Sequence, residues 1–109
     1  MNDEQILKCL RVIAAVQPGN KLCMRNGVFE IDTRPNSMLR WFSGDSRRTT
    51  LSYISTVISA AIISGARPVH EALFSIDPGL ENLKMTYIQD QTMCHAIDHL
   101  SNRIKSFAV

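Results

Sequence analysis

The residues most suited to chemistry lie in one short run near the C-terminus, Cys94-His95-Ala96-Ile97-Asp98-His99. Two histidines four residues apart share a face of a helix, and with a thiolate or carboxylate nearby they are typical zinc ligands. At about 100° per residue, however, Cys94 lies on the apolar stripe of this helix, whereas His99 points away from it. Ligands that diverge cannot close a tetrahedral site. We therefore predict two surface histidines here and no metal site.

Residues for nucleophilic catalysis or phosphate binding are scattered along the chain. There is no G-x-S-x-G motif, Cys23 falls in a predicted strand, and His70-Glu71 is a lone polar pair near a turn. The five glycines occur singly, at expected turns, so the sequence contains no glycine-rich phosphate loop. These patterns predict a protein that is not an enzyme and that needs no cofactor.

A second candidate site is the arginine-rich segment, defined as residues 34–48, which contains Arg34, Arg40, Trp41, Arg47 and Arg48. Arginines beside a stacking ring are typical of single-stranded nucleic-acid binding and equally of protein-interface hot spots. Arg47 and Arg48 are expected in the first turn of a helix, where the helix dipole disfavours cations unless an anionic partner meets them. The alternative is that both pair with acids of the last helix while Trp41 lies in the core. A net charge of only +2 favours a protein partner over nucleic acid.

The element that must position this segment is an uncharged window of eighteen residues, 49–66. Its apolar residues point in nearly every direction on a helix, which requires burial either in lipid or at the centre of a bundle. Six serines and threonines between residues 49 and 59 make the window too polar for a membrane span. We predict the buried central helix of a bundle, capped by Asp45 and ending near Ser64.

The remaining segments predict shorter elements around that helix. Apolar spacing indicates an amphipathic helix over residues 3–16, and Asn26-Gly27 between two apolar runs indicates a β-hairpin over residues 21–33. Further helices are expected near residues 38–42, 69–75 and from 80 almost to the end, with a break near 89–92. The fold class that follows is mainly α: a single domain over residues 1–109, built as a compact four- to five-helix bundle with one β-hairpin after the first helix.

Composition places the chain among ordinary globular proteins. Apolar residues make up 45% and charged residues 20% of its 109 residues, which is enough to bury a core. Cys9, Cys23 and Cys94 are odd in number and widely spaced, which favours free thiols in a reducing compartment over a disulfide framework. The acidic N-terminus lacks the features of a cleaved secretory signal. We therefore expect a cytoplasmic protein.

Two segments carry a resemblance to a known class of proteins: WFSGDSRRTTL at residues 41–51 and GLENLKMTY at residues 79–87. The residue pattern of these segments resembles that of small helical modules in effectors that bacterial pathogens deliver into host cells. The resemblance spans residues 38–100. It implies a non-enzymatic helical domain that engages another protein, in the host cytoplasm. It assigns no functional residue.

Taken together, these patterns predict a protein–protein interaction or adaptor module, with self-association left open. Its partner-binding residues are expected to be Arg34, Arg40, Trp41, Arg47 and Arg48, together with the exposed margin of the last helix. The alternative function is a nucleic-acid-binding protein that places the same arginines against phosphate.

Overall fold

The computed structural model describes residues 1–32 and 46–108, which form five helices and a two-stranded antiparallel hairpin. The elements, in chain order, are α1 (Asp3–Ala14), β1 (Lys21–Arg25), β2 (Val28–Asp32), α2 (Ser46–Ile63), α3 (Arg67–Phe74), α4 (Asp77–Thr86) and α5 (Gln91–Ala108). This architecture confirms the predicted mainly α bundle with one hairpin after the first helix. The helix expected near residues 38–42 and the Asp45 cap lie outside the described residues.

Helix α1 begins with a capping box at Asn2. The Asn2 side chain accepts from the Gln5 backbone N–H at 2.9 Å, and the Gln5 side chain accepts from the Asn2 N–H at 3.0 Å. The apolar stripe of the helix buries Ile6, Cys9, Leu10 and Ile13. These side chains face β2, α2, α3 and α4, so α1 lies near the middle of the molecule.

The hairpin turns at the two residues that the sequence indicates. Asn26 and Gly27 have φ values of +53° and +79°, the left-handed conformation that a two-residue hairpin turn with this twist requires. Two strands alone are only marginally stable in water. The helices support the ribbon, because β2 packs on α1 and β1 packs on α2. Phe29 of β2 and Leu22 of β1 are buried by this packing.

Helix α2 packs against α1, α3, α5 and β1, which confirms the predicted central helix. It buries one face, formed by Thr50, Ile54, Val57, Ile58 and Ala61. The opposite face is not apolar, since Ser52 and Thr56 are exposed there and the Thr56 hydroxyl donates back to the Ser52 carbonyl at 3.0 Å. The uncharged window therefore reflects hydroxyl residues on the outer face rather than burial on every side.

The predicted break between the last two helices is confirmed, but it lies at residues 87–90, two positions before the expected 89–92. The start of α4 differs from the prediction, because its N-cap is Ile76 and no side chain caps it. Ser75 instead donates to the Ala72 carbonyl at 2.8 Å, and Asp77 accepts from the Ser101 hydroxyl at 3.1 Å. Asp77 thus links α4 to α5.

The turn after α1 is held by polar side chains of α4. Asn82 Nδ2 donates to the Val16 carbonyl at 2.9 Å. The Thr86 hydroxyl accepts from the Gly19 N–H at 2.9 Å and donates to the Asn20 carbonyl at 3.0 Å. One threonine therefore satisfies two backbone groups in a loop that precedes it by more than sixty residues.

Replacing Thr86 with valine tests this link, because valine keeps the shape of the side chain but removes the hydroxyl. We expect Thr86→Val to lower the free energy of unfolding by about 1–2 kcal/mol, since both loop groups lose their partner. Urea unfolding followed by circular dichroism measures the change. Thr86→Ser retains the hydroxyl and is the control; if Thr86→Val is as stable as the wild type, the two hydrogen bonds do not hold the loop.

Candidate functional site

The arginine-rich segment lies only partly in the described chain. Arg34, Arg40 and Trp41 fall outside the described residues. Arg47 and Arg48 occupy the first turn of α2, as predicted, and that turn contains no acidic residue. The partner role of these five residues remains a prediction.

The candidate metal ligands of α5 point in different directions, as predicted. Cys94 is buried, and its thiol lies 3.2 Å from the Tyr87 carbonyl, to which it donates at the end of α4. His95 and His99 are exposed. Across residues 1–32 and 46–108, no three potential ligands from histidine, cysteine, aspartate and glutamate lie close enough to hold a metal ion.

The pair His70-Glu71 is also separated in the structure. Glu71 accepts from Arg67 Nε at 2.9 Å. The His70 ring instead meets Phe107 edge-on at 4.9 Å between centroids, and its Nε2 is buried with no hydrogen-bond partner in the described part of the chain. These two side chains therefore do not form a catalytic dyad. None of the three cysteines, which all lie in the described ranges, forms a disulfide.

The feature that the sequence did not indicate is a groove between α2 and α5. Residue numbers rise in the same direction along the two facing helices. Positions 51–55 of α2 lie beside 96–100 of α5, Ser59 lies beside Arg103, and Ile62 lies beside residues 99–107. The two helices therefore run side by side in the same direction. Each has eighteen residues, so the groove is bordered by helices roughly 27 Å long.

The first of two cavities in this groove has a volume of about 370 Å³. It is lined by Leu51, Ser52, Ser55, Ala96, His99 and Leu100. The side chains of Ser52, Ser55 and Ala96 are small, so they leave space between the two helices. Leu51 and Leu100 give this space an apolar border. This cavity is suited to an apolar side chain.

The second cavity lies further along both helices and has a volume of about 480 Å³. It is lined by Ile62, His99, Asn102, Arg103, Ser106 and Phe107. The Phe107 ring stacks on Phe74 at 5.8 Å and is held edge-on by His70, so one wall is aromatic and supported. The rest of the lining consists largely of hydrogen-bond donors.

Arg103 is the charged group of this cavity, and its position is set by α2. Its Nη1 donates to the Ser59 hydroxyl at 3.1 Å, and no carboxylate of the described residues pairs with it. The acid nearest in sequence, Asp98, is occupied by Lys84 at 2.8 Å. That hydrogen bond to Asp98 raises the pKa of Lys84 above its ordinary 10.5. The groove is therefore left with a positive charge and no acid of its own lining.

Sequence reasoning predicted the exposed margin of the last helix as a contact surface but missed these residues. Two signals were available: the small residues of α2, and the recurrence of polar residues every three or four positions on α5. Neither signal shows that the two helices are neighbours.

No helix in the described ranges is long and apolar enough to cross a membrane. No protein-family model, curated protein or solved structure matches this chain.

Proposed function

We propose that this protein is a non-enzymatic module that binds another protein, and that the groove between α2 and α5 is its recognition surface. The observation that carries the proposal is the pair of adjoining cavities, one bordered by leucine and the other by a supported phenylalanine. Grooves between helices with an apolar lining and a few fixed polar groups are typical sites for a helix of a partner. The lack of a disulfide among the three cysteines of the described residues agrees with a reducing compartment, which for an effector-like module is the host cytoplasm.

One exposed apolar side chain beside the groove, that of Phe74, adds to the case for a binding protein. Phe74 is 45% exposed although its ring stacks on Phe107 beside the second cavity. This phenylalanine extends the apolar wall of the groove to the surface of α3. Aromatic residues at the edge of a cavity are typical of interface hot spots.

The proposal is tested by filling the first cavity. Ala96→Phe and Ser55→Phe each place a ring in it from opposite helices, while Lys105→Phe adds the same ring at an exposed position of α5 outside either cavity. Each protein is tagged and cross-linked in cells, and the proteins attached to it are identified. We expect Lys105→Phe to capture the same proteins as the wild type, and both groove variants to lose them. Melting curves show whether each variant is folded.

Two other results would each contradict the proposal. If the groove variants capture the same proteins as the wild type, the groove is not the recognition surface. If the protein instead shifts single-stranded RNA or DNA in a gel, with binding that falls steeply with salt, the alternative function through Arg34, Arg40, Arg47 and Arg48 replaces it. Sedimentation of the same variants shows whether a second copy of the chain occupies the groove.

A further inference from the structure

We infer that the partner segment in this groove is an acidic amphipathic helix, which places an apolar side chain in the first cavity and a carboxylate against Arg103 in the second. This inference rests on the proposed function, because it specifies the chemistry of the segment that the groove binds. It depends on three features of the described residues: the fixed guanidinium, the charge of the lining and the spacing of the cavities.

The Arg103 guanidinium is positioned but only partly used. One nitrogen is bound to the Ser59 hydroxyl, which is a neutral acceptor and leaves the positive charge uncompensated. An arginine presents five donors in a planar fork, which matches the two oxygens of a carboxylate. Because Ser59 already holds the side chain across the groove, less freedom is lost when a carboxylate binds. Asn102 and Ser106 line the same cavity and offer further donors.

The charge of the groove selects against a basic or neutral segment. None of the residues that line either cavity is an aspartate or glutamate. Positions 47 and 48 lie one helical turn before Leu51 and Ser52, so both arginines begin the helix that borders the first cavity. A groove whose lining contains Arg103 and no acid is complementary to an acidic partner.

The spacing of the two cavities fits a helix. The residues that line the second cavity lie about nine positions after those of the first on α2 and about five positions after them on α5. At 1.5 Å per residue, the mean of these two displacements separates the cavities by roughly 10 Å. Residues seven apart on a docked helix are separated by about the same distance. An apolar residue and an acidic residue seven positions apart therefore reach the two cavities from one helix face.

The test uses three fluorescent sixteen-residue helical peptides that differ at one position only. Each carries a leucine for the first cavity and, seven residues further along the same face, glutamate, glutamine or lysine for the second. We expect the glutamate peptide to bind the wild type about tenfold more tightly than the glutamine peptide, by fluorescence anisotropy at low salt. Arg103→Gln should weaken the glutamate peptide about tenfold and change the glutamine peptide by less than about twofold. The lysine peptide should bind least.

Lys105→Gln is the matched control, because it removes the same charge from the same helix at an exposed position outside both cavities. If it weakens the glutamate peptide as much as Arg103→Gln does, the effect is one of net charge and the inference is wrong. Absence of binding by the glutamate peptide overturns it as well. Equal binding of the glutamate and glutamine peptides, lost in Ala96→Phe, would refute the acidic partner while leaving the groove as the recognition surface.

Discussion

Gly79→Ala is expected to destabilise the protein by about 3 kcal/mol, although it adds a single methyl group. Gly79 lies in the first turn of α4, buried against α1. A Cβ at this position would lie 1.8 Å from the carbonyl oxygen of Ile13 and 2.7 Å from its carbonyl carbon. These are backbone atoms, which cannot rotate away as the end of a side chain can. The two helices must therefore separate to admit the methyl group.

The sign of this effect makes the experiment decisive. In a helix, alanine is ordinarily more favourable than glycine by roughly 0.5–1 kcal/mol, so a position without steric conflict would gain stability. Gly65→Ala provides a comparison without steric conflict. Gly65 lies between α2 and α3, nothing lies within 4 Å of a Cβ there and its φ is not left-handed, so alanine there mainly reduces the freedom of the unfolded chain. Urea unfolding of both variants should show a large loss for Gly79→Ala and little change or a gain for Gly65→Ala. Equal stability of the two would refute the close contact of α1 and α4.

The same glycine shows what could not be predicted from the sequence. Gly79 follows Pro78 and was interpreted as a turn residue, because proline and glycine together usually mark one. Its actual role depends on Ile13, which is 66 positions away in the chain. Local patterns carry no information on which backbone a glycine will approach. The close packing of α1 on α4 therefore could not be found from residue types alone.

Features that depend on neighbouring residues were predicted more successfully. The hairpin turn at Asn26-Gly27 requires only a few consecutive residues. The break at residues 87–90 was likewise indicated by an acid that interrupts an apolar stripe. Each of these features depends on interactions between the backbone and side chains close to it in sequence, so the residue types are enough to predict it.

The groove belongs to the other category. Periodicity correctly placed Cys94 inside and His99 outside, so the polar face of α5 was predictable. The partner of that face was not, because α2 and α5 become parallel neighbours only through the two short helices that connect them. Ser59 and Arg103 are 44 positions apart. Their hydrogen bond results from the topology and not from a motif.

The hairpin supports the groove from the opposite side of α2. The Thr50 hydroxyl donates to the Leu22 carbonyl at 3.3 Å, and the Tyr53 hydroxyl donates to the Gly27 carbonyl. Burial raises the pKa of Tyr53 above its ordinary value of 10, with the nearby Cys9 adding to the shift, so this donor stays protonated at neutral pH. Thr50 and Tyr53 alternate along α2 with the residues that line the first cavity. The hairpin and the cavity therefore share two turns of one helix.

Phe29→Ala is accordingly expected to cost about 3–4 kcal/mol and to loosen the groove as well. Phe29 is 1% exposed, and its ring meets that of Tyr53 edge-on at 4.9 Å between centroids. Its removal leaves a cavity under a ribbon that is only marginally stable alone, so the hairpin should detach and release the first turns of α2. Hydrogen exchange should show faster exchange of β1, β2 and the first half of α2, with α4 and α5 little changed.

Two variants separate packing from hydrogen bonding at this contact. Phe29→Leu keeps most of the apolar volume and should lose much less stability than Phe29→Ala. Tyr53→Phe keeps the ring but removes the hydroxyl, and should cost about 1 kcal/mol. If Phe29→Ala left the exchange of α2 unchanged, the hairpin would not position the cavity. If exchange in α2 increases and the glutamate peptide binds less tightly to Phe29→Ala than to Phe29→Leu, then the hairpin holds the recognition surface in place from a distance, through Tyr53.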